Sequence, residues 1–192
     1  LHTPGTRVIA MENTHNRCGG RVYPLDEMKR VRELALRHGI SVHLDGARLC
    51  NAHVETGVAL SEYAACADTV SMCFSKGLGA PVGSILVSRR EVIDRARRHR
   101  KRLGGGMRQA GIIAAGALFA IAHHRERLAE DQENARSFAE SVRAGVDAAE
   151  VNVIAPETNI VSIDLPAAIA ERAMAKAKDD GLLVATIIPT RI

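Results

Sequence analysis

The sequence predicts an α/β protein: a mainly parallel sheet with helices on both faces, followed by a small α+β segment. Three observations carry that prediction. Short runs rich in Val, Ile and Leu recur in the first half, a stretch of helical period separates the first two, and strand-like runs return only near the end.

The first run, "RVIAMEN", ends on polar residues and reads as a buried strand, as do "ISVHLD" and "DTVSMCFS". Between the first two lies "LDEMKRVRELALRHG", whose Leu25, Met28, Val31, Leu34 and Leu36 fall on one broad face and whose Gly39 supplies a stop after His38. A connection of that length joins parallel strands through a crossover helix, the βαβ unit. "GSILVS" adds a fourth strand, and a basic helix follows it. Beyond "GGGMRQ", the proline-free segment from Ala110 to about Val146 predicts one long helix or two consecutive ones. "VNVIA" and "NIVSIDL" then read as strands, "PAAIAERAMAKAKDDG" as a helix and "LLVATII" as a last strand. These patterns divide the chain into part of a large domain with its helical bridge over 1–147 and part of a smaller one over 148–192.

Composition narrows the function. At 192 residues the chain can bury a sizeable core, 46% apolar and 25% charged residues are ordinary for a soluble protein, and no apolar run is long enough to span a bilayer. The start "LHTPGTRVIAMEN" has neither the pattern of a secretory signal nor an initial methionine, and a fragment of a cytoplasmic protein is the expectation. Four cysteines, Cys18, Cys50, Cys66 and Cys73, show no C-x-x-C pair, so free thiols in a reducing compartment are expected. His15 and Cys18 are three apart, but no second pair completes a metal-ligand set. The net charge of +4 is concentrated in Arg89 to Arg102, where eight Arg or Lys face two acids. A nucleic-acid stripe would pair such charge with aromatics, and these make up only 3% of the chain. A solvated basic helix face, or one pointing at a small anion, is the expectation, with no nucleic acid bound.

Parallel α/β sheets place their chemistry at the carboxyl ends of strands. Two such ends are unusual here: "HLDGAR" sets Asp45 three residues before Arg48, and "SKGLGAPVGS" sets Lys76 beside glycines. An amine held near the apolar end of a strand can be shifted toward its neutral form and attack a carbonyl. If that carbonyl belongs to pyridoxal phosphate (PLP), an acid such as Asp45 keeps the pyridine nitrogen protonated. "KRLGGGMRQ" offers Lys101 and Arg108 around a flexible turn, cations suited to a phosphate. The competing bland readings are an exposed loop lysine for Lys76, a helix N-cap for Asp45 and a surface ion pair for Arg48.

Four blocks, "ENTHN", "HLDGAR", "SKGLGAPVGS" and "GGGMRQ", occur in an order and spacing that resemble the low-specificity threonine aldolases. These are fold-type I PLP enzymes related to the aromatic amino acid β-eliminating lyases. The resemblance implies that Lys76 binds the cofactor covalently, that Asp45 pairs with its ring nitrogen and that Arg48 lies near the substrate carboxylate. It also implies that Lys101 and Arg108 reach a phosphate, usually a neighbouring subunit's, and that His2 contacts the substrate hydroxyl. A homotetramer with shared sites follows, and metal has no part in the site. The family's N-terminal phosphate loop and stacking histidine, and a C-terminal arginine expected just past Ile192, are absent from this sequence. The implied reaction is cleavage of threonine or allo-threonine to glycine and an aldehyde. Its rivals are β-elimination from another amino acid and, from another class, a non-catalytic scaffold or basic nucleic-acid-binding module.

Overall fold

The computed structural model describes residues 4–186 and 190–192. The chain forms two compact units, one made of the residues up to Thr14 with Val22–Ala129, the other of His15–Arg21 with Glu130–Ile192.

The first unit is built on a four-stranded sheet in the order β1 (Val8–Glu12), β2 (Ser41–Asp45), β3 (Thr69–Cys73), β4 (Ser84–Ser88). β1, β2 and β3 are parallel, with Glu12 opposite Asp45 and Asp45 opposite Ser71. β4 runs antiparallel, because the short loop after β3 can only fold the chain back, and it sets Ser84 opposite Cys73.

The crossover helix α1 (Leu25–Arg37) forms as expected, but its buried stripe differs from the sequence expectation. Met28 and Ala35 are fully buried, whereas Leu34 and Leu36 are 44% and 61% exposed. Positions 28 and 35 lie seven residues apart and so share one line along the helix, and residues 34 and 36 fall to either side of it. That stripe packs with Val42, Leu44, Val70 and Tyr63 into the main core.

Two helices between β2 and β3 were not anticipated: α2 (Leu49–Thr56) and α3 (Leu60–Ala65). Each is short, and α2 buries Asn51 among its apolar residues, which breaks the hydrophobic period. The basic stretch forms α4 (Arg90–Arg102), none of whose residues is buried. The proline-free segment resolves into α5 (Gly111–His123) and α6 (Leu128–Gly145). A second core cluster gathers Cys50, Phe74, Leu78, Ala80, Ala117, Ala120 and Leu128 at the carboxyl edge of the sheet.

In the second unit β5 (Asn152–Ile154) pairs antiparallel with β6 (Ser162–Asp164), and α7 (Ala167–Asp179) follows. The expected strand over "LLVATII" does not form where it is described: 182–186 is irregular, and 187–188 lie outside the described residues. The free edge of β6 is instead taken by Thr190–Ile192, with Ile163 and Ile192 exchanging backbone bonds of 2.7 and 3.0 Å. Arg191 fixes the pairing through a two-pronged ion pair with Asp164, at 2.5 and 2.9 Å. In the same unit Gly20 sits so close to Thr158 that an added Cβ would lie 2.6 Å from its hydroxyl, and that hydroxyl donates to the Gly20 carbonyl at 2.6 Å.

Candidate active site

Asp45 is the last residue of β2. Its Oδ1 accepts the Ala47 N–H at 3.0 Å and faces the Ser71 hydroxyl at 3.5 Å. The carboxylate thus closes the turn leaving the strand, while Oδ2 has no hydrogen-bond partner among the described residues. It is not the N-cap of α2, a position held by Arg48 without a side-chain cap. Arg48 stands at the helix start because Asp45 and Gly46 turn the chain there, with the Leu49 N–H bonded to the Gly46 carbonyl at 2.9 Å.

Lys76 lies three residues past β3, on the loop returning to β4, and its side chain is exposed rather than held in the sheet edge. That loop is well anchored. Phe74 donates to Gly83 and Ala80 to Phe74, both at 3.0 Å, and the Gly79 N–H closes a turn onto the Lys76 carbonyl at 2.8 Å. Gly79 adopts φ +73°, which a side chain would strain. Flanking Lys76, Phe74, Leu78 and Ala80 are buried in the second core cluster, so an exposed amine is carried on a fixed base.

A narrow crevice at this edge is lined by both Arg48 and Lys76, with Ala47, Asn51, Met72 and Cys73. Cys50 also faces it, near the Met72 sulfur at 3.8 Å, and burial pushes its thiol up from the ordinary range despite Arg125 nearby. The structure therefore brings Lys76 and Arg48 together and puts Asp45 on the neighbouring strand end of the same edge. Lys101, in the last turn of α4, and Arg108, on the loop before α5, are both exposed and do not line that crevice. His2 lies outside the described residues.

Within "ENTHN", Asn13 follows directly on β1. Asn13 is completely buried, donates to the Tyr23 carbonyl at 3.2 Å and accepts the Tyr23 N–H at 3.1 Å, and its own N–H donates to the Asp45 carbonyl at 2.9 Å. It ties the end of β1 to the residue carrying the carboxylate. Sequence reasoning missed one further contact: His124, just past α5, bonds through Nδ1 to the Leu78 carbonyl at 2.8 Å. Its partner is 46 residues away, and no local pattern signals it.

Sheet order, crossover helices and a lysine-bearing loop at the carboxyl edge define a fold-type I α/β protein, and the comparisons agree. At 18% identity and a TM-score of 0.63, the fold matches that of ornithine aminotransferase from Toxoplasma gondii, over 95% of this chain and 44% of that one. The chain belongs to the Beta-eliminating lyase family, whose sequence profile matches residues 1–166. It is 44% identical over 140 residues to the low specificity L-threonine aldolase of Escherichia coli K12, covering 73% of this chain and 41% of that protein. A Listeria monocytogenes crystal structure, provisionally named an L-allo-threonine aldolase, superposes with a TM-score of 0.81 at 25% identity, over 96% of this chain and 52% of that one. The chain thus spans about half the length of these proteins, or less. Among the described residues no helix is long and apolar enough to cross a membrane.

Proposed function

We propose that the protein of which this chain is part cleaves β-hydroxy-α-amino acids, threonine or allo-threonine, to glycine and an aldehyde with PLP as cofactor. The observation that carries this reading is the crevice shared by Lys76 and Arg48, one strand end from a carboxylate with an oxygen to spare. The donor set fits PLP: a reachable primary amine for its aldehyde and a half-used carboxylate for its ring nitrogen. When bound, PLP supplies the electron sink that accepts the Cα–Cβ bonding electrons.

In this reading Lys76 would hold the cofactor through its side-chain amine. Asp45, its Oδ1 kept in place by Ala47, holds the proton on the ring nitrogen with Oδ2. Arg48 sits against the substrate carboxylate and orients the bond to be broken. His2 contacts the β-hydroxyl. Lys101 and Arg108 reach a phosphate, a neighbouring subunit's in the homotetramer this reading includes. Exposed Ile112, Leu118 and Phe119 on α5 support such association. A cytoplasmic location and the division into a cofactor-binding domain over 1–147 and a small domain over 148–192 belong to the same proposal.

The family's description keeps β-elimination as the second reading. Product analysis on the full-length gene product separates the two. Glycine and an aldehyde from threonine, lost in Lys76→Ala, support the aldolase; pyruvate and ammonia from another amino acid would replace it with the lyase.

A further inference from the structure

We infer that His124 is a positioning residue that fixes the turn carrying Lys76. The inference rests on the assignment of Lys76 above and adds a residue that none of the four sequence blocks contains.

The turn from Lys76 to Gly79 is closed by one backbone bond, and the carbonyl of Leu78 is left to an outside donor. His124 is that donor: Nδ1 lies 2.8 Å from the Leu78 oxygen, and because a carbonyl only accepts, the ring keeps its proton on Nδ1. The ring also covers the turn. A Cβ at Gly79 would lie 3.5 Å from Nδ1 and 3.9 Å from Cε1, so His124 packs where the left-handed residue leaves room.

The histidine is itself held at both ends. Its N–H donates to the Ala120 carbonyl at 2.8 Å, tying it to the end of α5. Phe119 meets its ring edge-on, with centroids 5.4 Å apart and planes at 85°. Leu78 and Ala120 belong to one buried cluster, so the contact joins an anchored loop to the end of a packed helix. Lysine brings a flexible four-carbon stem to its task, and only its backbone can be fixed in advance. Catalytic geometry is lost when the supporting shell is loose, so a bond that pins this backbone bears directly on where the amine can reach.

The test compares His124→Ala and His124→Asn in the full-length gene product. Asparagine places an amide N–H on the δ atom, where Nδ1–H stands in histidine. With one hydrogen bond of ordinary strength lost, His124→Ala is expected to raise amide exchange over residues 76–80 roughly fivefold. It is also expected to retain less PLP through gel filtration, with a weaker visible absorbance. His124→Asn restores both. Wild-type exchange and PLP retention in His124→Ala would overturn the inference, as would equal damage in both variants, which marks loss of bulk and not of the bond. If wild-type protein forms no covalent PLP adduct at Lys76, the assignment of that lysine fails, while the exchange measurement still decides whether His124 holds the turn.

Discussion

Asp68 stands one residue before β3 and ties that strand to α1 and β2. Its carboxylate accepts Arg32 Nη1 at 2.7 Å and Nη2 at 3.0 Å and the Val42 N–H at 2.8 Å. Its carbonyl accepts the Ser88 hydroxyl at 2.6 Å, bringing in β4. Asp68→Ala would strand both the guanidinium and the Val42 N–H. Charge-assisted bonds are worth about 1.5–3 kcal/mol each. The Arg32 and Asp68 side chains are 21% and 26% exposed, so solvent screens part of that. We expect a cost of about 2–3 kcal/mol for Asp68→Ala, and about 1–2 kcal/mol for Asp68→Asn, which keeps an oxygen for Val42.

The pH dependence has a defined sign. Hydrogen bonding from Arg32, then from the Val42 N–H, holds the Asp68 carboxyl below the usual carboxylate range. Its contribution is therefore complete above the unfolded pKa near ~4 and is lost as pH falls through the lower folded value. Urea unfolding of wild type and Asp68→Asn should differ at neutral pH and converge once the pH has fallen below the depressed folded value, where a protonated Asp resembles an Asn. A difference of the same size at both pH values, or none at neutral pH, would refute the role given to this carboxylate.

Other perturbations probe the site's supports and chemistry. Asn13→Ala removes both side-chain bonds to Tyr23 from a fully buried position and should cost about 2–3 kcal/mol in urea unfolding. Asp45→Asn still accepts the Ala47 N–H, so the melting temperature should hold while kcat for threonine falls about 10²-fold, the usual scale for removing one preorganised charge from a reacting centre. A thiol reagent should label exposed Cys18 first and Cys50 and Cys66 far more slowly, because burial both hides those sulfurs and pushes their thiols up; mass mapping of the labelled peptides reads the order.

Strands and the crossover helix were legible because the signals are local. Val-rich runs ending in polar residues mark β1 to β3, and Met28 with its helical neighbours marks α1. What eluded the sequence depends on distant partners. Leu34 and Leu36 have apolar character, but they flank the Met28–Ala35 line that the sheet takes and stay in solvent. The apolar run at 182–186 has strand composition, yet the β6 edge pairs with Thr190–Ile192, where Arg191 finds Asp164. Lys76, Asp45 and Arg48 were singled out because strand-end position and residue type coincide in "HLDGAR" and "SKG". Neither the exposure of the lysine nor its support by His124 could be read, since the first depends on a ten-residue loop and the second on a helix end far along the chain.

The most direct measurement is borohydride reduction of the PLP-loaded full-length protein followed by peptide mapping. The phosphopyridoxyl group is predicted on the peptide containing Lys76 and nowhere else. A label on another lysine, or a protein that takes up no label at all, would contradict the site described above.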